Sequence, residues 1–133
     1  MEFYFAGIQI STPLRLDSFH GFEGTRPSSH CIEILPEIPP KPGSLLCQHE
    51  EVLLYTLPGG WRFDSPNPKV PATITASADY ARLTYHLPLC ENEAAQREKL
   101  LLLLRIALEC GFVLHDTISL HAACIEWKGR AVA

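Results

Sequence analysis

The sequence lacks an excess of basic residues and a long apolar run, and each absence excludes a class of protein. Its 133 residues include 11 basic and 15 acidic side chains, which gives a net charge of −4 at pH 7. Without a basic block, the chain lacks the electrostatic footprint of a nucleic-acid-binding protein. The most apolar run, 100–104, is far too short to span a bilayer. We therefore expect neither nucleic acid nor a membrane as a partner.

The sequence also lacks a signal peptide and a regular cysteine pattern. The first residues show no basic region followed by an apolar run and a small-residue cleavage site. The cysteines are five in number, irregularly spaced and without a C-x-x-C pair, which argues against a disulfide framework and against a zinc finger. We expect reduced thiols, no metal ligands and a cytoplasmic location. The cysteines concerned are Cys31, Cys47, Cys90, Cys110 and Cys124.

The first 88 residues have the pattern of short strands separated by turns. The 11 prolines of the chain favour extended segments and turns over a helical bundle. Pro58-Gly59-Gly60 predicts a tight hairpin turn between two of the strands. Turns that recur about every 8 to 12 residues are typical of an antiparallel β-rich unit. The predicted strands cover 3–10, 30–35, 51–57, 61–64, 72–76 and 82–87.

The pattern changes after Pro88, where a helix is predicted. Asn92 is suited to the N-cap, and acidic residues beside it favour the positive end of the helix dipole. Gly111 predicts the left-handed position that follows a helix, so the helix should run from Glu93 to Cys110. Because its second half is apolar on nearly every face, we expect the helix to be buried. The prediction is an α+β fold, with a mostly antiparallel β unit over 1–88 and a second unit over 89–133.

The last residues of the chain resemble a segment of a known family. Residues 120–133 read LHAACIEWKGRAVA. This stretch resembles the strand, glycine-containing turn and strand that lead into the phosphate-binding loop of HPr-kinase/phosphorylase-like proteins. A similar pattern occurs in ATP-dependent phosphoenolpyruvate carboxykinases. The resemblance implies that the predicted strands 117–127 and 130–133 are the first two strands of a P-loop kinase core, and that the sequence stops just before the Walker A loop.

The resemblance also implies a function. The full-length protein would transfer phosphate from a nucleotide to a hydroxyl on a protein or peptide, using ATP and Mg. His121 matches the histidine that lies beside the phosphate loop in the family, which implies a catalytic role; the alternative is a histidine packed at a strand end. The motif G-x-x-x-x-G-K-[ST] does not occur in these residues. Because the backbone N–H groups and lysine of that loop hold the phosphates, we expect this fragment to be non-catalytic and to bind no cofactor.

The same residues allow an alternative to the kinase-like function. The chain could instead be a stand-alone β-rich binding or dimerisation module without enzymatic activity. Trp61 and Phe63, on one face of a strand, are core residues or the wall of a peptide-binding groove. We also expect self-association through the C-terminal strands, because apolar strands without neighbours are templates for another chain. Residues assigned no catalytic or metal role are His20, His30, His49, His86, His115, Asp116, Glu91, Glu93 and Glu98.

Overall fold

The computed structural model describes residues 1–5, 8–12, 30–36, 39–114, 125–127 and 130–132. Ten strands and one helix lie within these residues. They are β1 (Glu2–Phe5), β2 (Ile8–Ser11), β3 (His30–Pro36), β4 (Ser44–Gln48), β5 (Leu53–Leu57), β6 (Gly60–Asp64), β7 (Thr73–Ser77), β8 (Arg82–His86), α1 (Glu93–Leu114), β9 (Ile125–Trp127) and β10 (Arg130–Val132). The fold is α+β, as the sequence predicts.

Eight of these strands form one sheet in the order β1-β2-β3-β8-β7-β6-β5-β4. Strands β4 to β8 are an antiparallel meander, whereas β3 pairs parallel with β2 on one side and with β8 on the other. The predicted hairpin joins β5 to β6, with Gly59 at a φ of 80°. A Cβ on Gly60 would lie 2.0 Å from the carbonyl oxygen of Ala76, so only glycine allows β6 to approach β7 so closely.

At the edges of this sheet, one strand prediction is wrong and one strand is missing from the prediction. The single strand predicted over 3–10 is wrong: β1 and β2 are antiparallel, and Phe5 pairs with Ile8, so the chain reverses between them. Side-chain hydrogen bonds also connect the two strands, including one from Gln9 Nε2 to Glu2 Oε2 at 2.7 Å. The alternation of apolar residues in the sequence gives no sign of these bonds. Strand β4 was not predicted at all. Its position comes from pairing with β5 and not from alternation of its own side chains.

The helix begins where the sequence predicts and ends later. The backbone N–H of Ala95 donates to Asn92 Oδ1 at 3.0 Å, which is an N-cap bond. At the other end, α1 continues through Gly111 to Leu114, so the predicted C-terminal glycine position is wrong. A Cβ on Gly111 would lie 3.0 Å from the Cβ of Tyr80. Glycine stands there because the helix passes close to a neighbouring side chain, not because the helix stops.

The core lies between one face of the sheet and one side of α1. The helix contacts β7 and β6, and it shares a single cluster of buried side chains with the strands. The apolar second half of α1 is buried or half-buried, as predicted, and only Arg105 is exposed between Leu100 and Leu108. Val113 and Leu114, which lie beyond the predicted helix, are also exposed. The division of the chain after residue 88 stays a prediction. Fully buried side chains on the two layers are Phe3, Ile10, Phe63, Ile74, Leu83, Leu100, Leu103 and Leu104.

The two C-terminal strands lie apart from the main sheet. Strands β9 and β10 pair antiparallel with each other, with Ile125 opposite Val132 and Trp127 opposite Arg130. Their order agrees with the predicted strand, turn and strand, although the described part of the first strand is shorter than the predicted 117–127. Their assignment to a P-loop kinase core stays a prediction.

Candidate functional site

The strongest concentration of polar side chains lies on the sheet face that points away from α1. Successive side chains of a strand alternate between faces. Since Phe63, Ile74 and Tyr85 belong to the core, their strand neighbours lie on the opposite face. The register brings these neighbours side by side across β6, β7 and β8. We call Arg62, Asp64, Thr73, Thr75 and His86 the polar row.

One half of the polar row is built around the carboxylate of Asp64. The guanidinium Nε of Arg62 lies 2.8 Å from Asp64 Oδ1 and 3.0 Å from Oδ2. Thr73 Oγ1 donates to the same Oδ1 at 2.8 Å. Arg62 also donates through Nη1 to the carbonyl of Pro40, which ties the segment before β4 to the sheet. Arg62 and Asp64 thus neutralise each other and bond to neighbouring groups of the protein, which favours a structural role for the pair.

The other half of the polar row is an imidazole next to a hydroxyl. His86 Nε2 lies 3.2 Å from Thr75 Oγ1, and His86 is only 3% exposed. An imidazole beside a hydroxyl can in general accept its proton and activate the oxygen. Burial keeps a substrate away from this imidazole, so the arrangement is better suited to fixing β7 against β8. His86 has no evident role in the sequence, because its contact with Thr75 depends on the register of β7 against β8, which the alternation of neither strand specifies.

A groove of about 340 Å³ lies beside the connection between β8 and α1. Its floor includes Gln96, which is 5% exposed and donates through Nε2 to the carbonyls of Pro71 at 2.6 Å and Pro88 at 2.7 Å. These two bonds fasten the start of the helix to the loops before β7 and after β8. The walls are mainly apolar, with charged groups from the helix at the rim. The lining residues are Leu87, Pro88, Leu89, Cys90, Glu93, Gln96, Arg97 and Leu100.

The predicted catalytic residue, His121, lies outside the described residues, as do His20, His115 and Asp116. Its catalytic role therefore stays a prediction. His49 is exposed, and its Nδ1 accepts a bond from the backbone N–H of Glu51 at 3.3 Å. Within the part of the chain that the structure describes, no three His, Cys, Asp or Glu side chains come together as a metal site.

Trp61 and Phe63 pack into the interior. Phe63 is 1% exposed, and the ring of Trp61 stacks on Tyr80 with centroids 6.4 Å apart and planes 20° apart. The core interpretation therefore describes both residues better than a peptide-binding groove does. The indole Nε1 of Trp61 is buried and has no hydrogen-bond partner among the described residues. The acidic residues at the helix start are exposed, as expected for a solvated helix end.

The thiol of Cys110 lies beside the phenol of Tyr80 at the far end of the helix. Burial raises the pKa of Tyr80, and the neighbouring Cys110 raises it further. Burial also raises the pKa of Cys110, although its hydrogen bond with Tyr80 acts in the opposite direction. A thiol whose pKa is raised is a poor nucleophile. This contact therefore favours the neutral thiol of Cys110.

Comparison with protein-family models, with curated proteins and with solved structures found no match. In the described residues, no helix has the length and apolar character needed to cross a membrane. Among the described residues, the glycine turn at Gly59 joins two antiparallel strands, so it is not a phosphate-binding loop that leads from a strand into a helix.

Proposed function

We propose that this chain is the leading, non-catalytic segment of an HPr-kinase-like protein. In its full-length form, that protein would transfer phosphate from a nucleotide to a hydroxyl on a protein or peptide. The observation that carries the proposal is the stretch LHAACIEWKGRAVA at 120–133. The antiparallel pairing of β9 with β10 supports it, because the resemblance requires a strand, a turn and a second strand in that order.

In this proposal the described sheet and helix serve to position the C-terminal residues. The apolar side of α1 is fixed on β6 and β7, and Gln96 fastens the start of the helix to two carbonyls. The described helix ends at Leu114, seven positions before His121 in the sequence. Positioning of this kind matters for phosphoryl transfer, in which the protein contributes mainly placement and charge stabilisation. His121 would then be placed beside the phosphate loop of the full-length protein.

Three measurements test the proposal. The coding sequence after residue 133 should contain G-x-x-x-x-G-K-[ST] within about a dozen residues. Calorimetry with Mg-ATP should show no low-micromolar binding to the 133-residue chain, and binding to a chain extended through that loop. In the extended protein, His121→Ala should slow phosphoryl transfer by about 10²- to 10⁴-fold. The matched control is His49→Ala, which alters an exposed histidine far from the predicted loop in sequence and should leave the rate unchanged.

The results that would refute the proposal are equally specific. A stop codon directly after residue 133, or a following sequence without the glycine-lysine motif, would exclude a kinase core. Tight Mg-ATP binding by the 133-residue chain would show that these 133 residues contain a nucleotide site.

The second candidate is a stand-alone β-rich binding or dimerisation module. One observation favours it: β4, at the end of the eight-stranded sheet, is exposed along its whole length. A stop codon after residue 133 together with self-association of the chain would support this candidate over the first.

A further inference from the structure

Strand β4 is an open edge of the sheet. It is the last strand in the order, and β5 is its one partner among the described strands. All five of its residues are exposed, including Leu45 at 52% and Leu46 at 59%. The main contacts of the helix are with β7 and β6. Among the described strands, β4 therefore presents exposed leucines beside backbone groups that β5 does not pair.

The sequence of β4 has few of the features that normally protect an edge. Its residues, SLLCQ, include neither a charged side chain nor a proline, which are the usual means of preventing pairing with another chain. A register shift between Leu45 and Cys47 leaves Leu46 without a partner in β5. Leu46 is 59% exposed at this bulge, so its side chain is available to a neighbouring chain.

Opposite charges lie on either side of β4. Lys41 comes three residues before the strand, and Glu50 comes two residues after it; both are exposed. Neither side chain has an ion-pair partner among the described residues. The stretch that carries Lys41 is held in place, since Pro40 accepts a bond from Arg62 and Gly43 lies against the backbone of Thr56. The backbone that carries Lys41 is therefore fixed against the sheet.

The opposite charges on either side of β4 favour a second copy of this chain as the partner of the edge. If two copies of β4 pair antiparallel about a two-fold axis near Leu46, Lys41 of each copy comes next to Glu50 of the other. Parallel pairing would instead bring like charges together, which is unfavourable. A two-fold arrangement is also the most common symmetry of soluble homodimers.

We propose that two copies of this chain associate through antiparallel pairing of β4, which joins their sheets into one. Leu46 is covered at the centre, and Lys41 and Glu50 form reciprocal ion pairs at the two ends. The proposal does not depend on the kinase assignment, and it names a different surface from the C-terminal strands. Because one pair of strands forms a smaller contact than the roughly 1,600 Å² of a standard interface, we expect the association to be weak.

The first experiment is sedimentation equilibrium of the 133-residue chain over a concentration series from about 5 to about 500 µM. The average mass should rise from 14.8 kDa towards twice that value. Leu46→Lys should keep the chain monomeric by at least a tenfold weakening, since a lysine on an edge strand opposes pairing. The matched control is Leu89→Lys, because Leu89 is fully exposed elsewhere and its replacement should not change the mass. Circular dichroism checks that each variant is folded.

A charge swap tests the antiparallel geometry directly. Lys41→Glu and Glu50→Lys should each weaken association, because each places two like charges across the axis. The double variant restores opposite charges and should recover the affinity of the original chain.

Three outcomes would overturn the proposal. The first is a monomer throughout the series. The second is association that Leu46→Lys leaves intact but that Val132→Lys in β10 abolishes, which would assign the contact to the C-terminal strands. The third is a double charge variant that associates as weakly as the two single ones, which would exclude the antiparallel pairing.

Discussion

Replacing Gly111 by alanine separates two physical effects that oppose each other at one position. Alanine is better than glycine in a helix interior by about 1 kcal/mol. Gly111 lies inside α1, so propensity alone predicts stabilisation. The added Cβ, however, would lie 3.0 Å from the Cβ of Tyr80 and 3.5 Å from its Cγ. Carbon atoms in favourable contact are roughly 3.5–4.0 Å apart, so one side must move.

Tyr80 has little freedom to move. It is 6% exposed, its ring stacks on Trp61 and packs against Phe63 at 6.4 Å, and its backbone has a φ of 56°. A large residue in the left-handed region is held there only by its surroundings. Overpacking a site of this kind costs about 1–3 kcal/mol. With the gain in propensity subtracted, we expect Gly111→Ala to lower the free energy of unfolding by about 1 kcal/mol.

Urea denaturation followed by far-ultraviolet circular dichroism measures this change. The matched control is Val113→Ala, at an exposed position two residues further along α1, which should stabilise by a few tenths of a kcal/mol through propensity. In a Tyr80→Gly background the close contact no longer exists, so Gly111→Ala should there stabilise by about 1 kcal/mol. The sign of the effect should thus reverse. If Gly111→Ala stabilises equally in both backgrounds, the argument from close approach is wrong.

Three further predictions concern other contacts. Gln96→Met should cost about 1–3 kcal/mol in urea unfolding, since it removes two hydrogen bonds, each worth roughly 0.5–1.5 kcal/mol, to the carbonyls of Pro71 and Pro88; an unchanged midpoint would contradict this. Hydrogen bonding and charge attraction from Lys99 lower the pKa of Glu51, so its contribution to stability is complete above the unfolded-state pKa and is lost as pH falls through the folded-state pKa. Titration by nuclear magnetic resonance should show that pKa rising in Lys99→Met. Exposed Cys47 should react with a thiol reagent well before Cys110, whose pKa burial raises; equal rates would refute the assignment.

Local patterns were sufficient for the features that depend on neighbouring residues. The turn at Gly59 and Gly60 needs a glycine with positive φ, and this requirement is visible in the sequence itself. The N-cap at Asn92 is equally local, because its side chain bonds a backbone group three residues along. The alternation over 72–76 and 82–87 predicted the strands that became β7 and β8. Each of these interactions spans only a few residues, so the sequence alone determines it.

Tertiary structure decided what depends on contacts between distant residues. Gly111 has the local character of a helix end, but packing against Tyr80, 31 positions earlier, makes it part of the helix. Strand β3 is placed by parallel pairing with β2 and β8, which no local alternation specifies. The polar row forms only when β6, β7 and β8 align, so a histidine without an evident role becomes a buried partner of Thr75. Such contacts are set by the packing of the whole sheet, because the register brings together residues whose separation in sequence carries no signal.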